Sequence, residues 1–404
     1  MGDEANNLPT GIQLTSLDHT YREDAESVHA RLRAECPVHH DKQFGRYFLT
    51  NGKDIEAVLR NRALLLDPDR ANQGTIAKLQ TQREGFIKSM LFLDDPDHHR
   101  LRSLVAQAFS QRSINDISLH IAQVANELLD ALEGRDRFDA IAAYASPLPI
   151  IIIAEILGVD PADRADFIAW SRTSDNAFNP MLTAEQQEAM LRSQNELFDY
   201  FERQIAERRL NPRDDLISAM IAAADGDHRL SDQEIKVTCN LLLVAGNITT
   251  TDLIGNAIRL LIDHPDQRQL LHERPDLAAN MVEEVLRFDP PVTASSRIAP
   301  EDMTIGATLI PKGEVMFTAL QSVGRDPELN PDAQRFDITR DKPVHHAFGG
   351  GVHFCLGAQL ARMEARVAIP LLFERFPNLS LAAEPVRKIA PGFNGYGELL
   401  VNVG

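Results

Sequence analysis

Apolar residues recur every three to four positions over eight stretches, 24–34, 54–61, 96–109, 114–133, 184–208, 231–263, 278–288 and 357–375, and that period predicts helices. The longest opens on Ser231-Asp232-Gln233-Glu234, a capping-box pattern in which a serine hydroxyl and a glutamate carboxylate accept from otherwise unpaired backbone N–H groups. Strand-like runs are shorter: 46–50, 303–305, 308–310, 315–319 and 399–403. This is no alternating βαβ series, so a dinucleotide fold is not expected. The pattern predicts a mainly α protein with a small β subdomain. Length alone suggests two or three domains, but no Pro/Gly/Ser-rich linker, repeat or low-complexity segment divides the chain. One domain over 1–404, β-rich near both ends, is therefore expected.

Composition narrows the class. The 404 residues are 44% hydrophobic and 25% charged, as in ordinary globular proteins large enough to enclose a cofactor. The formal charge of −18 argues against a nucleic-acid partner. Three scattered cysteines, Cys36, Cys239 and Cys355, form no disulfide framework and fit a reducing cytoplasm. The polar start, Met1 to Asn6, reads as neither leader nor anchor, and Asn6 does not fit a myristoylation pattern. The most apolar run, 148–157, holds Pro149 and Glu155 and is too short to span a bilayer. No membrane association is expected.

The chemistry concentrates at Phe348-Gly349-Gly350-Gly351-Val352-His353-Phe354-Cys355-Leu356-Gly357, directly before a helical stretch. Three glycines let the backbone turn tightly and approach a flat ligand. A sulfur near a helix N-terminus is favoured as thiolate and suits an axial metal ligand; a buried free cysteine in a glycine-rich loop is the bland alternative. The segment resembles the haem-binding signature of the cytochromes P450, Phe-Gly-x-Gly-x-His-x-Cys-x-Gly, at every fixed position. That resemblance implies the P450 fold, with haem b between a long distal helix and a proximal helix. Cys355 would be the iron ligand, with Phe348, Gly349 and Gly357 around the cofactor, and thiolate donation would favour O–O cleavage.

Three further segments carry the same resemblance. Glu284 and Arg287, in Glu283-Glu284-Val285-Leu286-Arg287, would by periodicity alone be a solvated i,i+3 pair. They look like the family's Glu-x-x-Arg motif, which implies a buried charge network with Arg335, bracing the haem loop; Arg340 lies close by. In Asp94-Asp95-Pro96-Asp97-His98-His99-Arg100-Leu101-Arg102, His98 and Arg102 share a helix face. By resemblance they hold the haem propionates with Arg297 and His353, arginine's planar fork matching carboxylate geometry. A zinc site is disfavoured, since adjacent histidines point apart and lack partners at zinc spacing. The third segment is Leu241 to Asp252 on the longest helix, where Gly246 and three consecutive threonines suggest a local distortion opening a groove.

That segment resembles the family pattern Ala-Gly-x-(Asp/Glu)-Thr, whose acid and threonine help deliver protons to dioxygen. Ala245, Gly246 and Thr249 match, but the acid position holds Ile248, which relays no proton. Thr249 is expected to keep its role, with protons arriving through water at Asn247 or Thr250; Thr251 and Asp252 are further candidates, and peroxide-driven chemistry is a rival.

The implied function is a haem-thiolate monooxygenase that hydroxylates or epoxidises a hydrophobic small molecule with O2. Its electrons would come from a ferredoxin and ferredoxin reductase, docked at Lys342, Arg362 and Arg366 or with those residues merely a solvated face. A monomer is expected. Pocket walls are expected from Leu242, Ala245, Gly246 and Ile248, from Val292, Thr293 and Ala294, and from Phe393 and Asn394, with a lid at 66–91. Terpenoids, steroids, fatty acids and polyketides all suit such walls. A haem module that binds without oxidising, or a dioxygen-independent isomerase, are the readings from other classes.

Overall fold

The computed structural model of the chain describes residues 8–82, 84–108, 111–174, 182–225 and 228–404. Residues 1–6, on which the reading of the amino terminus rests, and Phe109 lie outside them.

All eight predicted helices form, with ends shifted by at most a few residues: Ala25–Glu35, Gly52–Arg60, Asp97–Ala108, Gln111–Asp130, Ala184–Leu210, Asp232–Asp263, Ala278–Phe288 and Ala358–Arg375. Their starts follow local chemistry. Asp24 accepts from Ser27 N, and Ser231 Oγ accepts from Glu234 N while Glu234 accepts from Ser231 N, closing the capping box. Helices without a clean apolar stripe escaped the pattern, among them Pro147–Leu157, apolar but for Glu155, and Arg164–Ser174.

The main sheet orders its strands Val38–Asp41, Arg46–Leu49, Val315–Ala319 and Ala294–Ile298. The central pair is parallel, aligning Tyr47 with Met316, and both outer pairings are antiparallel. The polar run Val-His-His-Asp at its edge gave no strand signal. Ser380–Leu381, Leu400–Asn402 and Arg137–Asp139 make a second sheet, and Val386–Arg387 pairs with Tyr396–Glu398 in a C-terminal hairpin.

The helix Asp232–Asp263 organises the interior. Its first half buries Ile235, Cys239 and Leu243 in one hydrophobic core, with Phe167, Leu197 and Phe201. Its second half buries Leu253, Ile254, Ala257 and Ile258 in another, with Ile369 and Leu372 of the helix Ala358–Arg375. Each such side chain is worth about 1.5–3 kcal/mol when fully buried. The stretch between the two cores, 244–252, is thus held at both ends, and part of it faces open space. This helix is long and apolar enough to cross a membrane by length and composition, and over half of its apolar window is buried inside the protein.

Candidate active site

The cysteine loop is shaped by glycine and seated on a helix. Gly349 and Gly351 take φ of 70° and 67°, a region disfavoured for residues with a Cβ. A Cβ on Gly351 would stand 2.3 Å from Leu59 O, so the loop lies directly on the helix Gly52–Arg60. Cys355 N donates to Phe348 O at 3.0 Å, and its sulfur opens onto a cavity of about 780 Å³. Burial pushes the thiol pKa up; the Gly357 N–H, Arg102 and Arg362 pull the other way. A metal ion at the sulfur would displace the proton outright.

Behind the loop lies the charge network. Arg287 donates from Nε and a terminal nitrogen to Glu284, both at 2.7 Å, and both residues are fully buried. Its remaining N–H groups reach the carbonyls of Gly324, Ala333 and Arg335 at 2.7–2.9 Å. The expectation for the third member is corrected: Arg340, not Arg335, donates to Glu284, at 3.2 Å. Arg335 N bonds Asp332 O in a tight turn, so Arg335 offers the network its carbonyl while its guanidinium stays 68% exposed. Next door, Arg362 donates to Glu283 at 2.6 Å and lies over the Phe348 ring. Burial opposes ionisation of Glu283, but hydrogen bonds from His345 and Arg362 outweigh it and bring the carboxyl down to about 2. Arg362 is therefore committed internally, whereas Lys342 and Arg366 are exposed.

The helix Asp232–Asp263, unbroken through Thr249–Thr251, lines the same cavity as Cys355. The groove comes from small residues and not from a break: a Cβ on Gly246 would meet nothing within 4 Å. Thr249 and Thr250 line the cavity, and Thr249 Oγ1 donates to Ala245 O at 2.7 Å. Leu242, Ala245, Gly246, Val292, Thr293, Ala294, Phe393 and Asn394 line it too, as do Leu66, Met90 and Leu91 from the expected lid.

Two expected residues do not reach it. Ile248 is 5% exposed and Asn247 1%, and neither is among the lining residues. At about 100° per residue, both side chains turn from Thr249 into the protein. Asn247 donates to Ser171 Oγ at 2.9 Å and accepts from Thr251 Oγ1 at 3.2 Å.

The groups expected around the propionates gather at the other end. His98 is buried, its ring 3.9 Å from that of His353 between centroids, and His98 Nε2 has no partner. Arg102 donates to Phe354 O, and Arg297 to Ser296 O at 2.7 Å and Gly350 O at 3.3 Å. His98, Arg102 and His353 line the cavity, while Arg297 sits behind the loop. Burial, then His98, Arg297 and Arg102, hold His353 down at about 3; burial brings Arg297 down to about 10. Asp94 is taken up by the backbone N–H groups of Leu66 and Asp67. One arginine and two imidazoles on the cavity, one with an orphaned nitrogen, with Arg297 behind them, fit an anionic group, and the Cys355 sulfur on the same cavity fits the iron such a group carries.

Among the charged residues on this cavity that sequence reasoning missed are Glu364 and Lys388. Glu364 is buried, and burial pushes its carboxyl up to about 8. It falls within Arg362-Met363-Glu364-Ala365-Arg366, a run that reads as a solvated helix face.

Comparison with known proteins agrees. The family described as Cytochrome P450 matches residues 169–393. Cytochrome P450 107B1 of Saccharopolyspora erythraea is 37% identical over 382 residues, covering 92% of each chain. The vitamin D(3) 25-hydroxylase of Pseudonocardia autotrophica is 38% identical over 373 residues, 90% of this chain and 89% of that one. The crystal structure of CYP109E1 from Bacillus megaterium in complex with corticosterone superposes with a TM-score of 0.85 at 32% identity, over 94% of this chain and 98% of that one.

Proposed function

The chain belongs to the cytochrome P450 family, a bacterial-type haem-thiolate monooxygenase, and from that premise we propose that it hydroxylates or epoxidises a rigid, apolar small molecule of steroid size. The observation that carries this reading is that Cys355, Thr249 and Thr250 line one cavity. Haem b is the form proposed, the two electrons coming from a ferredoxin and its reductase docked near Lys342 and Arg366. The relative named for vitamin D(3) and the structure in complex with corticosterone support the steroid class, as relatives named for polyketide biosynthesis support a macrolide.

When bound, the haem supplies the dioxygen chemistry. The rest belongs to this chain. Cys355 would hold the iron, which would displace the thiol proton that burial favours, with the Gly357 N–H and the Arg102 and Arg362 charges easing that loss. Arg102 would offset a propionate charge, His98 and His353, held neutral by burial, would hydrogen-bond it, and Arg297 would add its charge from behind the loop. Leu242, Ala245, Val292, Ala294 and Phe393 take the substrate and exclude water, and the 66–91 segment closes over it. With Ile248 and Asn247 turned away, Thr249 and Thr250 present the hydroxyls that hold water and pass protons on the distal side. The protein is proposed to act as a soluble cytoplasmic monomer, one domain over 1–404.

A rival reading, use of hydrogen peroxide without a redox partner, draws on the apolar Ile248 in the acid position. The test is a titration of the ferric Soret band with steroids, terpenes, fatty acids and macrolides, followed by turnover with NADH and a surrogate ferredoxin pair or with peroxide. A steroid-induced shift and NADH-driven product support the proposal. Product with peroxide alone favours the rival.

A further inference from the structure

One charged contact joins the long helix to the C-terminal hairpin in the interior. Lys388 Nζ donates to Asp252 Oδ1 at 2.6 Å; Asp252 is fully buried and Lys388 exposes 17% of its side chain. The joint has a fitted shape. A Cβ on Gly395 would stand 2.1 Å from that carboxylate oxygen, so glycine leaves the room in which Asp252 sits. Lys388 N donates to Gly395 O at 3.0 Å, which closes residues 389–394 into the hairpin tip. Phe393 and Asn394, on that tip, line the cavity.

The two ends of the tip are held by different physics. At Asn394 the grip is chiefly hydrogen bonds: its side chain donates to Asp289 Oδ1 at 2.6 Å and accepts from Arg387 at 2.6 Å, its carbonyl accepts from Asn256 Nδ2 at 3.0 Å, and its N–H donates to Pro291 O at 2.8 Å, with Arg387 and Asp289 a looser pair at 3.8 Å. At Lys388 the grip is an ion pair away from solvent, where attraction is strong and salt screens little. An ion deprived of its partner there gains by moving toward water. The anchor residue, Asp252, is three residues along the helix from Thr249, about 4.5 Å of rise. The pair therefore ties the position of Phe393 to the stretch that carries the threonines.

We propose that the Asp252–Lys388 pair is a positioning element that sets how far Phe393 enters the pocket, and so selects substrates by length. This rests on the haem-loaded oxygenase reading above. The pair is separate from the proton path: Asp252 is bonded to Lys388 and is not among the residues lining the cavity.

The test uses haem-loaded protein and a series of n-alkylimidazoles from methyl to decyl, with the Soret shift giving Kd for each chain length. Wild type should show a preferred length. In Asp252→Asn, and independently in Lys388→Met, the released tip should move the optimum toward longer chains, changing the Kd ratio of long to short probes about tenfold, the worth of two methylenes. The double variant Asp252→Asn/Lys388→Gln, which keeps a hydrogen bond but no charge, should return the optimum to its wild-type length. If both single variants lose thermal stability while the length preference stays unchanged, the pair is structural only and the proposal fails. If wild type itself gives no Soret shift with any probe, the haem reading fails instead, so the two failures are distinguishable.

Discussion

The two walls of the cavity hold their charged residues in opposite ways. On the cysteine side the charges that brace the loop have dedicated partners: Arg287 meets Glu284 and three carbonyls, Arg340 adds to Glu284, and Glu283 takes Arg362 and His345, while buried Glu364 keeps one carboxyl oxygen without a partner. On the helix side the stretch facing the cavity offers two hydroxyls and small apolar groups, and its acid position is filled by an isoleucine turned inward. The first wall keeps one loop in one shape to present a sulfur. The second leaves space and lets the hairpin and lid define its boundary. Rigidity therefore lies with the ligand to the iron, and variability with whatever meets the substrate.

The sharpest way to break this contrast is to remove one member of the brace. Arg287→Ala leaves Glu284 buried and without its principal partner, which costs about 3–5 kcal/mol. Chemical denaturation should show that loss together with poor haem retention, whereas a change under about 1 kcal/mol would mean the brace is dispensable. Truncation on the opposite wall should spare folding. Thr249→Ala is expected to keep the melting temperature within a few degrees and to lower product formed per NADH about tenfold, less than the full worth of a general acid because Thr250 remains. Unchanged coupling would remove Thr249 from the proton path.

The smallest effect concerns Glu364. Burial raises its folded pKa from 4.5 to about 8, so between those values the folded carboxyl keeps a proton that the unfolded chain has released. Stability then falls as pH rises through that window. Glu364→Gln should flatten the fall and be more stable than wild type at pH 8 by about 1 kcal/mol or more, each pKa unit being worth about 1.4 kcal/mol. Parallel melting curves from pH 5 to 8 would show instead that Glu364 ionises freely.

Local signals carried most of the fold and much of the cavity into the sequence. Helices with one apolar stripe and a cap declared themselves, as at Ser231, while Pro147–Leu157, apolar but for Glu155, had no period to read. The cysteine loop was legible because its glycines answer to close backbone approach at Leu59. What escaped depended on side-chain direction or on distant partners. Spacing could not say whether Arg335 or Arg340 turns toward Glu284, since a tight turn at Asp332 decides it. Nor could it say that Ile248 and Asn247 face the interior. Asp252 and Lys388 lie 136 residues apart, and neither alone gives any sign of the other.

The most direct test of the central claim, that Cys355 holds a haem iron as thiolate, is the spectrum of the reduced protein under carbon monoxide, in wild type and in Cys355→His at equal haem content. The account predicts the red-shifted Soret band of thiolate ligation in wild type and its loss in the variant. A wild type without that band, or a Cys355→His protein that keeps it, would contradict the assignment.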